Sequence, residues 1–160
     1  MRRTRFCVVP VLASLLVLPL GAIATIEAIG EKHKLDPRRV FTFSWSSGGW
    51  AAWHASFLKE IRGSFIAMAV FYPEQLPPLA QTRGRVYYLY HSPEDEVCKF
   101  PMAEAARDAL TRNGALVRLT TYAGGHGWHG DFFGDIRRGL EWMANPAPSA
   151  VPAGKRAAQP

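Results

Sequence analysis

Short unbroken apolar runs alternate along this chain with longer stretches whose apolar residues recur at helical spacing. Arg39–Phe43 reads as a brief strand, and Ser64–Phe71 is a continuous apolar run, the pattern of a strand covered on both faces. Val86–Tyr90 and Ala115–Tyr122 are predicted as two further strands. Between them, Gly48–Ile61 sets Trp50, Trp53, Phe57 and Ile61 three or four residues apart, which makes one helix face. Phe100–Asn113 is predicted as a helix stopped by Gly114, and Phe132–Met143 as an amphipathic helix. Thr25–Lys34 reads as the end of a helix, closed by the turn Leu35-Asp36-Pro37-Arg38. Tyr72–Arg83 is a proline-containing loop and Ala123–Gly130 a glycine-rich one. Strands alternating with helices predict an α/β domain, with a mostly parallel sheet of about four strands and helices on both faces.

Both chain ends fall outside that pattern. Met1–Arg5 is basic, Phe6–Ala24 is uncharged and apolar, and Ala22-Ile23-Ala24 has the small-x-small form of a cleavage site. Residues 1–24 are therefore expected to be a signal peptide, and the protein secreted or periplasmic. The alternative is an uncleaved membrane anchor over residues 6–24, which are just long enough to span a bilayer. Residues 145–160, rich in Pro and Ala without apolar periodicity, are expected to be a disordered tail. The domain is then residues 25–144.

The formal charge of +6 belongs mostly to these ends. The first 24 residues hold three arginines and no acid, and Lys155 and Arg156 lie in the tail. The remainder offers no basic stripe for nucleic acid, and no membrane association is expected once the signal is removed. Cys7 lies in the signal, so Cys98 alone remains and no internal disulfide can form. No Cys/His/Asp spacing suggests a structural metal, no phosphate-binding glycine loop is present, and no cofactor is expected.

Candidate chemistry collects where parallel strands end, on one edge of the sheet. The first strand runs into Trp45-Ser46-Ser47-Gly48-Gly49 and then a helix, a turn that would push a serine hydroxyl out of the sheet edge. Such a turn asks for small residues two before and two after the nucleophile. Ser46 has Ser44 and Gly48 there, whereas Ser47 has Trp45 two residues before it. The third strand ends in His91-Ser92-Pro93-Glu94-Asp95-Glu96-Val97, where any of three carboxylates could serve. The fourth leads to Gly124-Gly125-His126-Gly127-Trp128, with His129 the competing histidine. A serine, a carboxylate and a histidine thus lie in order on one edge. A histidine can take the serine proton, a carboxylate can orient and charge-stabilise the histidine, and the Ser47 N–H can face a developing oxyanion. Trp45 and Trp128 flank the serine and the histidine and are candidates to line an apolar substrate pocket. His54, His91 and Cys98 are expected to pack near these groups without acting.

These stretches resemble the α/β-hydrolase family, in its phospholipase/carboxylesterase-like and dienelactone-hydrolase-like esterase branch. The resemblance runs from about Ile26 to Met143. Leu35–Gly49 is similar to the family's approach to its nucleophile, His91–Val97 to its acid loop and Gly124–Trp128 to its histidine loop. It implies Ser46, Asp95 and His126 as a catalytic triad. Ser44 and Ser92 stand where glycines are usual, and Lys99 where proline is common. The resemblance also implies three or four more strands ahead of the elbow, with a loop supplying a second oxyanion donor. No His-Gly-Gly-Gly-like stretch precedes Ser46, so the chain is expected to be a truncated α/β-hydrolase. The implied function is a serine ester hydrolase acting through an acyl-enzyme on a small-molecule ester. The alternatives are a prolyl-oligopeptidase-like serine peptidase and a non-catalytic relic.

Overall fold

Four strands form one sheet in sequence order: β1 (Phe41–Trp45), β2 (Gly63–Ala67), β3 (Val86–His91) and β4 (Leu116–Thr121), each parallel to its neighbours. The computed structural model describes residues 21–146. The expected signal peptide, apart from residues 21–24, and the expected tail from residue 147 lie outside the described residues. Residues 21–24 open a helix, α1, that continues to residue 30. Three more helices follow: α2 (Gly49–Ala55), α3 (Phe100–Arg112) and α4 (Phe132–Ala144). Among the described residues, no helix is long and apolar enough to cross a membrane.

Helices cover both faces of the sheet. A right-handed crossover between adjacent parallel strands returns the chain on the same face each time, so α2 and α3 share one face. There Ala52 and Trp53 of α2 and Ala106 and Leu110 of α3 pack on Ile66, Tyr87, Leu89 and Val117. On the opposite face Met143 and Trp142 of α4 pack on Phe65, Val86, Tyr88 and Tyr90. The Tyr90 hydroxyl donates to Asp135 at 2.6 Å and ties α4 to the middle of the sheet. Every β2 and β3 residue is buried, which explains the unbroken apolar runs.

Two elements end earlier than their apolar pattern. The stripe Trp50-Trp53-Phe57-Ile61 predicts a helix to Ile61, but α2 stops at Ala55. Beyond it the bonds tighten to i→i+3, from Phe57 N to His54 O, Leu58 N to Ala55 O and Ile61 N to Leu58 O. The Arg85 guanidinium donates to the carbonyls of Phe57, Leu58 and Ile61 and so satisfies backbone acceptors that the tightened segment leaves open. The run to Phe71 likewise breaks after Ala67, where Met68 takes φ 41°. Residues from Met68 to Phe71 stay apolar because they are a largely buried connection, with Trp53 Nε1 donating to Val70 O at 2.9 Å.

Candidate active site

The parallel register brings three loop origins to one edge, because Trp45 aligns with Ala67, Ala67 with Tyr90, and His91 with Thr121. Ser46 follows β1 directly, Asp95 lies four residues past β3, and His126 five residues past β4.

Ser46 opens a 3-10 turn, Ser46–Gly48, that leads into α2. Its φ of 49° lies in the left-handed region that a side-chain-bearing residue rarely enters. That strain turns the hydroxyl out of the sheet, and such strain persists only where the surroundings over-determine it. The tight approach is at Gly49, where an added Cβ would stand 2.2 Å from the Ala69 Cβ. At Gly48, two residues past the serine, it would meet the Ser44 Cβ at an ordinary 3.7 Å. The steric demand expected at Gly48 therefore falls on its neighbour.

Ser46 Oγ stands 2.9 Å from His126 Nε2, and His126 Nδ1 stands 2.8 Å from Asp95 Oδ2. A carboxylate only accepts, so Nδ1 carries the ring proton and the Nε2 lone pair faces the serine hydroxyl. Asp95 is almost wholly buried. Burial alone would raise its pKa, but bonds from His126 and from the backbone N–H groups of Cys98 and Val97 outweigh it and hold the carboxyl below its ordinary value. Its neighbours point elsewhere. Glu94 accepts from Gly124 N at 3.0 Å, and Glu96 pairs with Lys99. The structure thus brings Ser46, His126 and Asp95 together and leaves Glu94 and Glu96 outside that line. His129 lies against Gly124 and stacks on Tyr122 at 6.0 Å.

Ser47 is the second residue of the 3-10 turn, where an N–H has no acceptor within its own helix. Trp128 is half-buried, stacked on Phe43 at 6.0 Å and on Tyr90 at 5.7 Å, so it also props the histidine loop on the sheet. Trp45 is 53% exposed and stands 6.1 Å from Phe43. An aromatic band runs from Trp45, the residue before Ser46, through Phe43 and Trp128 to Phe132. His54 lies on α2 against Trp50, and burial lowers its pKa.

Asp95, Cys98 and His126 place potential metal ligands within 4.8 Å of one another. Asp95 and His126 are already engaged with other protein groups. Asp95 accepts from His126 and two backbone N–H groups, and His126 Nδ1 is protonated. Burial, then the adjacent Asp95 charge, raise the Cys98 thiol and keep it protonated.

Three acid-loop residues make bonds that the sequence did not assign to them, His91 having been expected only to pack nearby and Glu94 only to compete as the acid. His91 Nε2 donates to Cys98 O at 2.6 Å and lies 3.3 Å from Asp95 Oδ2. Ser92 Oγ accepts from Glu94 N and Gly125 N, and Glu94 reaches the histidine loop. The only signal was their place in the acid loop, since nothing local tells which way a side chain there points.

No protein-family model matches the sequence, and no curated protein matches it. Solved structures do. The carboxylesterase from Mesorhizobium loti superposes with a TM-score of 0.66 at 19% identity, over 82% of this chain and 62% of its own. Arabidopsis thaliana SOBER1 gives 0.63 at 18%, over 81% and 64%. The Bacillus cereus carboxylesterase gives 0.63 at 14%, over 81% and 60%. The chain spans less than two thirds of the length of each. The likeness is to α/β-hydrolase esterases of the phospholipase/carboxylesterase type. A parallel sheet in sequence order, a strained serine at a strand-to-helix turn and these superpositions together identify the fold of this chain as that of the α/β-hydrolases.

Proposed function

We propose that this protein is a serine ester hydrolase of the carboxylesterase kind. The observation that carries the reading is the unbroken hydrogen-bonded line from Ser46 through His126 to the buried Asp95. Ser46 Oγ attacks the ester carbonyl while His126 Nε2 takes its proton. The His126 imidazolium then gives that proton to the leaving alcohol, and water repeats the cycle to release the acyl group. Asp95 keeps the imidazole in the tautomer that leaves Nε2 free and stabilises its charged form. The Ser47 N–H donates to the oxyanion, one such donor being worth about 100- to 1000-fold in turnover. The band containing Trp45 and Trp128 supports an apolar or aromatic acyl group.

Two assays on purified protein test the reading. Hydrolysis of a short-chain nitrophenyl ester should vanish in Ser46→Ala, and a fluorophosphonate probe should label Ser46. Cleavage of a peptide amide without ester turnover would favour a peptidase. A folded sample that the probe leaves unlabelled would overturn the hydrolase reading altogether.

A further inference from the structure

We propose that Ser92 and Glu94 are positioning residues that hold the histidine loop by its backbone and so set where His126 presents its ring to Ser46. The inference rests on the reading of that line as a hydrolase site.

The distance to be crossed makes such a hold necessary. β4 is three strands from β1, roughly 14 Å at the usual strand spacing, yet His126 must reach a serine at the end of β1. The loop that crosses is rich in glycine, with Gly124, Gly125 and Gly127 at φ 119°, 76° and 145°. Glycines permit that path and also give the loop many others. Within the loop the Tyr122 hydroxyl donates to Gly125 O at 3.0 Å. Two further backbone anchors come from the acid loop. Gly124 N donates to Glu94 Oε2 at 3.0 Å, and Gly125 N to Ser92 Oγ at 3.2 Å. These N–H groups belong to the two residues immediately before His126.

Ser92 is fully buried, and the same Oγ accepts from Glu94 N at 3.1 Å. One oxygen therefore braces the acid loop internally and clamps the histidine loop to it. Glu94, on the exposed side, adds the second clamp. The Asp95–His126 bond orients the ring, but it cannot by itself fix the backbone that carries the ring. The clamps do that, and they act on the carboxylate and imidazole carriers together.

The experiment compares Ser92→Ala, Glu94→Ala and Glu94→Gln with the unaltered full chain. With a nitrophenyl ester, both alanine variants should lose roughly tenfold in kcat with KM unchanged, since small misplacements of a base act on the chemical step. Glu94→Gln keeps an acceptor oxygen and should stay within about twofold. In parallel, histidine-selective ¹⁵N NMR should show the His126 Nδ1 proton exchanging with water roughly tenfold faster in both alanine variants. Equal kcat per folded molecule and unchanged proton exchange, with only a lower Tm, would overturn the proposal by showing a purely structural role. If the unaltered protein turns over no ester, the ester-hydrolase reading fails while the proton-exchange comparison still decides the positioning claim. Glu94 is exposed, so its variants stay folded and decisive even if Ser92→Ala does not.

Discussion

His91 Nε2 and His126 Nδ1 converge on the same oxygen, Oδ2 of Asp95, at 3.3 and 2.8 Å. The two imidazoles do different work there. The shorter bond is His126's, in line with Ser46. The His91 proton is shared with the Cys98 carbonyl at 2.6 Å, so His91 chiefly braces the acid loop. His91→Ala should lower unfolding free energy by about 1–3 kcal/mol in urea titrations, because it leaves a buried carbonyl unpaired. Its ester turnover should fall by no more than about tenfold. Asp95→Asn should lose roughly 10⁴-fold, since an amide can favour the wrong histidine tautomer. Equal losses in the two variants would mean that His91 does more than brace.

Acid should act through Asp95. Its folded-state pKa is depressed, chiefly by bonds that overcome the cost of burial. A depressed carboxyl contributes stability that is present above the unfolded value, near 3.9, and lost as pH falls through the folded value. Urea midpoints should therefore drop more steeply below about pH 4 for the unaltered chain than for Asp95→Asn. Parallel curves would refute the assignment.

The elbow yields a paired steric test. Gly48 has φ −65° and open contact distance, so Gly48→Ala should fold normally and remain reactive toward the fluorophosphonate. Gly49→Ala drives a Cβ against Ala69 and should cost about 1–3 kcal/mol, read as a lower urea midpoint. The reverse ranking would show that the helix and sheet approach elsewhere.

Ser44 Oγ is buried without a hydrogen-bond partner. Removing an unsatisfied hydroxyl removes a desolvation cost, so Ser44→Ala should leave stability unchanged or raise it by up to about 1 kcal/mol. A clear loss of stability in calorimetry would show that the hydroxyl has a partner in solution.

Element order and the candidate site residues were legible because both are local. A strand running into Ser46-Ser47-Gly48-Gly49, a carboxylate loop and a glycine-rich histidine loop are each written within a few residues. Alternating strands and helices then dictate a parallel sheet whose strand ends share an edge. The ends of α2 and β2 were not legible, because Ile61 and Phe71 are buried, and Phe57 half-buried, whether the chain is helix, strand or turn. Burial sets the apolar pattern, whereas the boundaries lie in the backbone, in the i→i+3 bonds after Ala55 and the positive φ of Met68.

At the site, residue types followed from the sequence, whereas direction came only from the tertiary structure. Three consecutive carboxylates are nearly equivalent as text. In space Asp95 turns inward to His126, Glu94 crosses to Gly124 and Glu96 turns out to Lys99. The placement of His126 across three strands depends on clamps between loops far apart in sequence. Such contacts depend on where separate loops meet, and no local propensity encodes that meeting.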